Sequence, residues 1–162
     1  MIAVYRFQSE EQPAKPLRLK IEINSREHFT ELGYVHSPFA VQSRWWSGAA
    51  DITTFALEEM LGTKLRALYQ RRKGRDVLDL WYALTYGAAA PERIVACFDR
   101  YMREGGHRVT RAVFAANLQR KLADPLFRAD MSPLLRPGIG WDMELAVEVV
   151  TTQLLALLSG EP

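Results

Sequence analysis

The tightest constraint on this chain lies at residues 57–84, LEEMLGTKLRALYQRRKGRDVLDLWYAL. Leu57, Leu61, Leu65 and Leu68 recur at helical spacing and make one apolar stripe. A second helical pattern follows Lys73-Gly74, with Val77, Leu78, Leu80, Trp81 and Leu84 as its buried arc. The stretch predicts two helices meeting at Lys73-Gly74, the glycine ending the first. The rest of the chain leads up to this block or packs around it.

Lys64 interrupts the stripe. At about 100° per residue it projects between Leu57 and Leu68. One use for it is snorkelling, the stem covering apolar surface while the ammonium reaches water. The other is an ammonium at the rim of a cleft, placed to meet an anion. Gly62 costs the helix about 1 kcal/mol against alanine, and a close approach by another element would account for it. Asp76 and Asp79, three apart, share the face opposite the apolar arc of the second helix. Asp76 is also a natural acid for a first helical turn, paired to a nearby arginine. Arg66, Arg71, Arg72, Lys73 and Arg75 form a basic cluster. It reads as a solvated helix end, with phosphate binding as the alternative.

Upstream, residues 1–8 (MIAVYRFQ) read as a strand, and residues 9–16, with Pro13 and Pro16, as a loop or hairpin connection. In residues 17–24, Leu17, Leu19, Ile21 and Ile23 alternate with Arg18, Lys20, Glu22 and Asn24, a strand with one apolar face. Lys20 and Glu22 then point the same way, about 7 Å apart. Arg26 and Glu27 continue the polar character. Residues 39–43 predict a short strand, followed by Trp45-Trp46, which are expected to serve as core or edge packing. Thr53 and Thr54 are expected to cap or precede the first helix.

Downstream the pattern is helical. Pro91 opens a helix to about Glu104, stopped by Gly105-Gly106, and Thr110 opens another to about Ala123 with Val113, Phe114, Leu118 and Leu122 as its apolar positions. Residues 124–140 read as loop with short turns, and residues 141–158 as the last helix.

With 162 residues the chain is long enough to bury a core as one domain. Its net charge of +2 is too small to imply nucleic-acid binding by itself, although local clusters count for more than the sum. The single cysteine, Cys97, rules out an internal disulfide, suits a reducing compartment and reads as core. His28, His36 and His107 lack metal-ligand spacing. Without a signal-peptide pattern or a spanning helix, the expected location is cytoplasmic and not in a membrane.

LKIEIN with SREHF, together with LEEMLGTKLRALYQRRKGRDVLDLWYAL, resembles the second, third and fourth motifs of the AbiEii/AbiGii toxin family. These are bacterial nucleotidyltransferase-like proteins, the toxin halves of type IV toxin–antitoxin or abortive-infection pairs. The resemblance implies an α/β (α+β) fold: a partial polymerase-beta-like nucleotidyltransferase sheet over residues 1–54, followed by a mainly helical bundle over residues 55–162. It implies Lys64, Asp79 and, as the lesser choice, Asp76 as catalytic residues. Glu22 would be a carboxylate for Mg2+, and Lys20 and Arg75 would join Lys64 on nucleotide phosphate. The implied substrates are a nucleoside triphosphate (NTP) and an acceptor such as tRNA, and the implied partner is a cognate antitoxin protein.

That family's first motif, a glycine-serine turn followed by D-x-D, has no counterpart before Leu17. The expectation is a C-terminal part of a longer product or a degenerate member, unable to transfer nucleotides alone. Two other readings compete: a non-catalytic helical module binding RNA or an antitoxin through the Arg66-to-Arg75 cluster, and a homo-oligomer formed through an exposed strand edge near residues 1–8 or 17–24.

Overall fold

The computed structural model describes residues 2–23, 28–135 and 140–160. It is a mixed α/β fold with the strands first and the helices after. β1 (Ile2–Gln8) and β2 (Pro16–Glu22) form an antiparallel ribbon in which Ala3 faces Ile21, Tyr5 faces Leu19 and Phe7 faces Leu17. The alternation read from residues 17–24 is the reason: it puts these six on one face and Arg6, Arg18, Lys20 and Glu22 on the other. Asn24, Arg26 and Glu27 lie outside the described residues.

β3 (Tyr34–Gln42) and β4 (Ser47–Phe55) form a second ribbon, not hydrogen-bonded to the first. Here three expectations are corrected. The strand expected over residues 39–43 is longer, because β4 pairs along its whole length. Thr53 and Thr54 do precede the first helix, but as ladder residues opposite His36 and Val35 rather than as its caps. Trp45 and Trp46 are not packed in a core. They sit at the tip of this ribbon, 76% and 63% exposed, over a turn in which the Ser43 hydroxyl accepts from the Trp46 amide and donates to its carbonyl. The Arg44 guanidinium lies 4.1 Å from the Trp45 ring centre.

The helices are α1 (Leu57–Gln70), α2 (Arg75–Tyr86), α3 (Pro91–Glu104), α4 (Arg111–Leu122), α5 (Pro125–Ala129) and α6 (Met143–Gln153), with single 3-10 turns at Ser132–Leu134 and Leu155–Leu157. Their starts follow local chemistry: Pro91 fits the first turn of α3, and the side chains of Thr110, Asp124 and Asp142 accept from amides of Val113, Leu126 and Leu145. The final helix is shorter than residues 141–158 suggested, closing in a 3-10 turn. Among the described residues no helix is long and apolar enough to cross a membrane.

The core belongs to the helices. Leu65, Leu68, Val77, Leu80, Ile94, Phe98, Phe114 and Val150 expose nothing to solvent. Gly62 has the predicted purpose: a Cβ there would lie 2.6 Å from Cβ of Cys97 and 2.9 Å from the Ile94 carbonyl, so its absence lets α1 and α3 touch. Cys97 is fully buried, and burial, with the charges of Glu59 and Glu31, pushes its thiol up to about 11. Leu57 and Val113 depart from the stripes and stand 43% and 44% exposed.

The junction is also corrected at Gly74. α1 ends at Gln70, where Arg71 turns extended, and Gly74 instead precedes α2 with a helical backbone. It is small because a side chain there would reach within 2.1 Å of the Phe127 carbonyl.

Glu59, fully buried on α1, ties the strand half to the helices. Its carboxylate accepts from the Thr30 hydroxyl (2.6 Å), the Glu31 and Leu32 amides (2.8 and 2.9 Å) and the Tyr101 hydroxyl (2.7 Å). Burial alone would raise this carboxyl, but the hydrogen bonds outweigh it and hold the group below its ordinary value. Phe29 stacks on Tyr101 at 4.7 Å, and Arg100 bridges to Glu31 at 3.3 Å. Residues 29–32, just before β3, are thereby fastened to α1 and α3.

Candidate functional site

The bend between α1 and α2 lays the two helices side by side, so that residues far apart in the motif converge. Lys64 Nζ lies 2.6 Å from Asp79 Oδ2 and 3.7 Å from Asp76 Oδ1. The Lys64 side chain is 38% exposed, so the ammonium stays reachable from solvent.

The two aspartates differ. Asp79 is half-exposed, while Asp76 exposes nothing, which corrects the reading that both share an outward face. A carboxylate in the first turn of α2 is enclosed because α1 ends beside it. Arg71, the residue at which α1 stops, grips it bidentately, Nε to Oδ2 at 2.8 Å and Nη2 to Oδ1 at 2.6 Å. That bonding raises the guanidinium's pKa further, with Asp79 and Asp130 adding to the effect.

Beneath them, Lys121 of α4 is buried, donating to the carbonyls of Leu68 and Tyr69, the latter at 2.7 Å. It satisfies carbonyls that the end of α1 would otherwise leave open. Burial pushes its amine down to about 8, against the pull of Asp76, with Arg72 and Arg120 lowering it further.

The energetics of the two aspartates follow from exposure. A half-exposed ion pair such as Lys64–Asp79 is worth about 0–1 kcal/mol, so either partner exchanges cheaply. Stripping a buried carboxylate of its cation costs about 3–5 kcal/mol. Asp76 therefore holds Arg71 and steadies Lys64, whereas Asp79 can let go.

The other residues singled out in the sequence do not join this group. Arg75 is bound to Asp130 on the far side of the junction, Nε to Oδ2 at 3.0 Å, and Lys73 reaches the same carboxylate at 3.6 Å. Burial works to raise Asp130, and Arg75 and Lys73 outweigh it to hold the group low. Lys20 and Glu22 pair with each other on the exposed face of β2, and Lys20 draws the Glu22 pKa down. Among the described residues no hydrogen bond or ion pair links Glu22 to α1 or α2. The basic cluster is occupied: Arg72 faces Asp124 at 3.9 Å, and Arg66 lies 5.0 Å over the Tyr101 ring.

A divalent metal asks for several oxygen ligands. Among the described residues no three His, Cys, Asp or Glu side chains gather to hold a metal, and Glu22 makes no hydrogen bond or ion pair to the helices that carry Asp76 and Asp79. These residues do not fit a magnesium site.

Lys121 and Glu59 were missed from sequence, whereas the nearby arginine expected to pair with Asp76 is Arg71. Lys121 carried a signal, since it falls three residues after Leu118 and seven after Phe114, on the buried stripe of α4.

A family model described as nucleotidyl transferase AbiEii toxin, type IV TA system, matches residues 2–149. Comparison with curated proteins and with solved structures returns no significant match.

Proposed function

Because the chain belongs to the AbiEii family of nucleotidyl transferase toxins of type IV toxin–antitoxin systems, we propose that its α1–α2 junction receives the phosphates of a nucleoside triphosphate during nucleotide transfer to an acceptor such as tRNA. The observation that carries this is Lys64, a reachable ammonium on an apolar helix face whose nearest partner, Asp79, is itself half-exposed. Phosphoryl chemistry of this kind depends on cations placed on the phosphate oxygens. Lys64 takes that role when a phosphate replaces Asp79, and Asp79 is the aspartate free to act. Asp76 is a positioning residue that keeps Arg71 beside the site.

Magnesium belongs to such chemistry, with Glu22 as its carboxylate in the family pattern. Since no three acidic, His or Cys side chains gather into one metal site among the described residues, residues 1–162 are expected to bind nucleotide without transferring it. A cognate antitoxin is the partner that the family implies, and we place its contact, or that of a second copy of the chain, on the ribbons. Lys20 and Arg75 have a lesser part, as each pairs with a carboxylate away from Lys64.

The test is equilibrium binding of a nucleoside triphosphate to the wild-type chain, Lys64→Ala and Lys64→Arg. Loss of a charge-assisted contact predicts about 10- to 100-fold weaker binding for Lys64→Ala, with partial recovery in Lys64→Arg. Unchanged affinity in Lys64→Ala would remove the assignment.

A further inference from the structure

A cleft of about 310 Å3 opens beside the Lys64–Asp79 pair, between α1, α2 and the segment after α5. Leu61, Leu78, Ala83 and Leu134 are among its apolar walls, Tyr82 stands at the rim with 55% exposure, and among the described residues Asp79 is the one charged residue that lines it. We propose that this cleft takes the nucleobase of the nucleotide whose phosphates Lys64 receives, an assignment that rests on the phosphate reading above.

Three properties favour that occupant. Pockets for small molecules run to about 300–1,000 Å3, so this one admits a flat ring system but not a whole nucleoside triphosphate. The phosphates must then lie outside the cleft, and the ammonium of Lys64, paired with the cleft's own Asp79, stands where they would emerge. A base needs apolar contact for its faces and a polar group for its edge, and the leucines, Tyr82 and Asp79 supply these. Once phosphate draws Lys64 away, the Asp79 carboxylate is an acceptor without a donor. An exocyclic amino group on the base restores one. The same aspartate thus links the two halves of the ligand, and bases with an amino group fit better than uracil.

The experiment compares ATP, UTP and inorganic triphosphate on the wild-type chain, Tyr82→Ala and Ala83→Met, the last filling the cleft. Calorimetric titration is expected to show ATP binding about tenfold more tightly than inorganic triphosphate, with UTP between them. Both variants are expected to reduce ATP to the inorganic level while leaving inorganic triphosphate unchanged. Equal wild-type affinity for ATP and inorganic triphosphate, or an ATP advantage that survives both variants, overturns the base assignment and leaves Lys64 as a phosphate ligand. Binding of neither ligand overturns the phosphate reading and the base assignment together. Should Ala83→Met fail to fold, Tyr82→Ala decides the matter, because its side chain lies at the rim.

Discussion

The ribbons and the helices are built from similar apolar side chains and use them in opposite ways. In the helices, Leu65, Leu80, Phe98 and Val150 expose nothing, whereas in the ribbons Tyr5, Phe7, Leu19, Ile21, Phe39 and Ile52 expose 42–56% of themselves. A two-stranded ribbon has no second layer, so alternation aligns its apolar face without covering it. Helices α1, α2, α3 and α6 supply that cover for one another. The patterning of a segment thus decides which element forms, and a second layer decides whether that element contributes to stability. The apolar faces of the ribbons are surface, and surface is what a partner meets.

The sharpest way to break this comparison is truncation in each region. Phe98→Ala is expected to cost about 3–5 kcal/mol in denaturant unfolding. A loss near zero would mean that the helical core is not where stability resides. Next comes the aspartate pair. Arg71→Ala, which leaves the buried Asp76 carboxylate with only the longer Lys64 contact, is expected to cost about 3 kcal/mol, whereas Asp79→Ala is expected to cost at most about 1 kcal/mol. Equal losses would erase the distinction between a positioning and an exchangeable carboxylate.

Glu59→Gln probes the join between the regions, with about 1–3 kcal/mol expected for presenting an amide to four donors. The sign with pH is set by the lowered pKa of Glu59 in the folded chain. Its contribution is complete above the unfolded-chain value and is lost as pH falls through the lower folded one. The wild-type chain should therefore lose stability on acidification below about pH 4.5, and Glu59→Gln should lack that part of the acid limb. An identical acid limb in both would remove Glu59 as the source. The smallest effect is expected in the ribbons, where Leu19→Ala should stay within about 0.5 kcal/mol; a loss like that of Phe98→Ala would show that their faces are covered in solution.

Much of this was legible in the sequence, for physical reasons that can be traced. The α1 stripe, the α2 arc, the start of α3 at Pro91 and the alternation of β2 are periodic and local, and they are present in the structure. Lys64 stood out because a charge on an apolar face breaks a pattern, and Asp79 because of its spacing from Asp76 and the motif the stretch resembles. β4 was missed because Ser47–Phe55 is mostly small and β-branched, and only its pairing with β3 makes it a strand. Asp76 looked outward because helical angle cannot reveal that α1 ends beside it in Arg71. Gly74 looked like a stop because its reason for being small is Phe127, more than fifty residues away. Glu59 was silent for the same cause, its donors coming from residues 30–32 and Tyr101.

The central claim is that Lys64 trades Asp79 for phosphate. Its most direct measurement is the affinity of the wild-type chain, Asp79→Asn and Lys64→Ala for inorganic triphosphate at one ionic strength. Removing the competing carboxylate should tighten binding about two- to fivefold in Asp79→Asn, and removing the ammonium should weaken it at least tenfold in Lys64→Ala. If both variants bind as the wild-type chain does, Lys64 and Asp79 are a surface ion pair and the phosphate lies elsewhere.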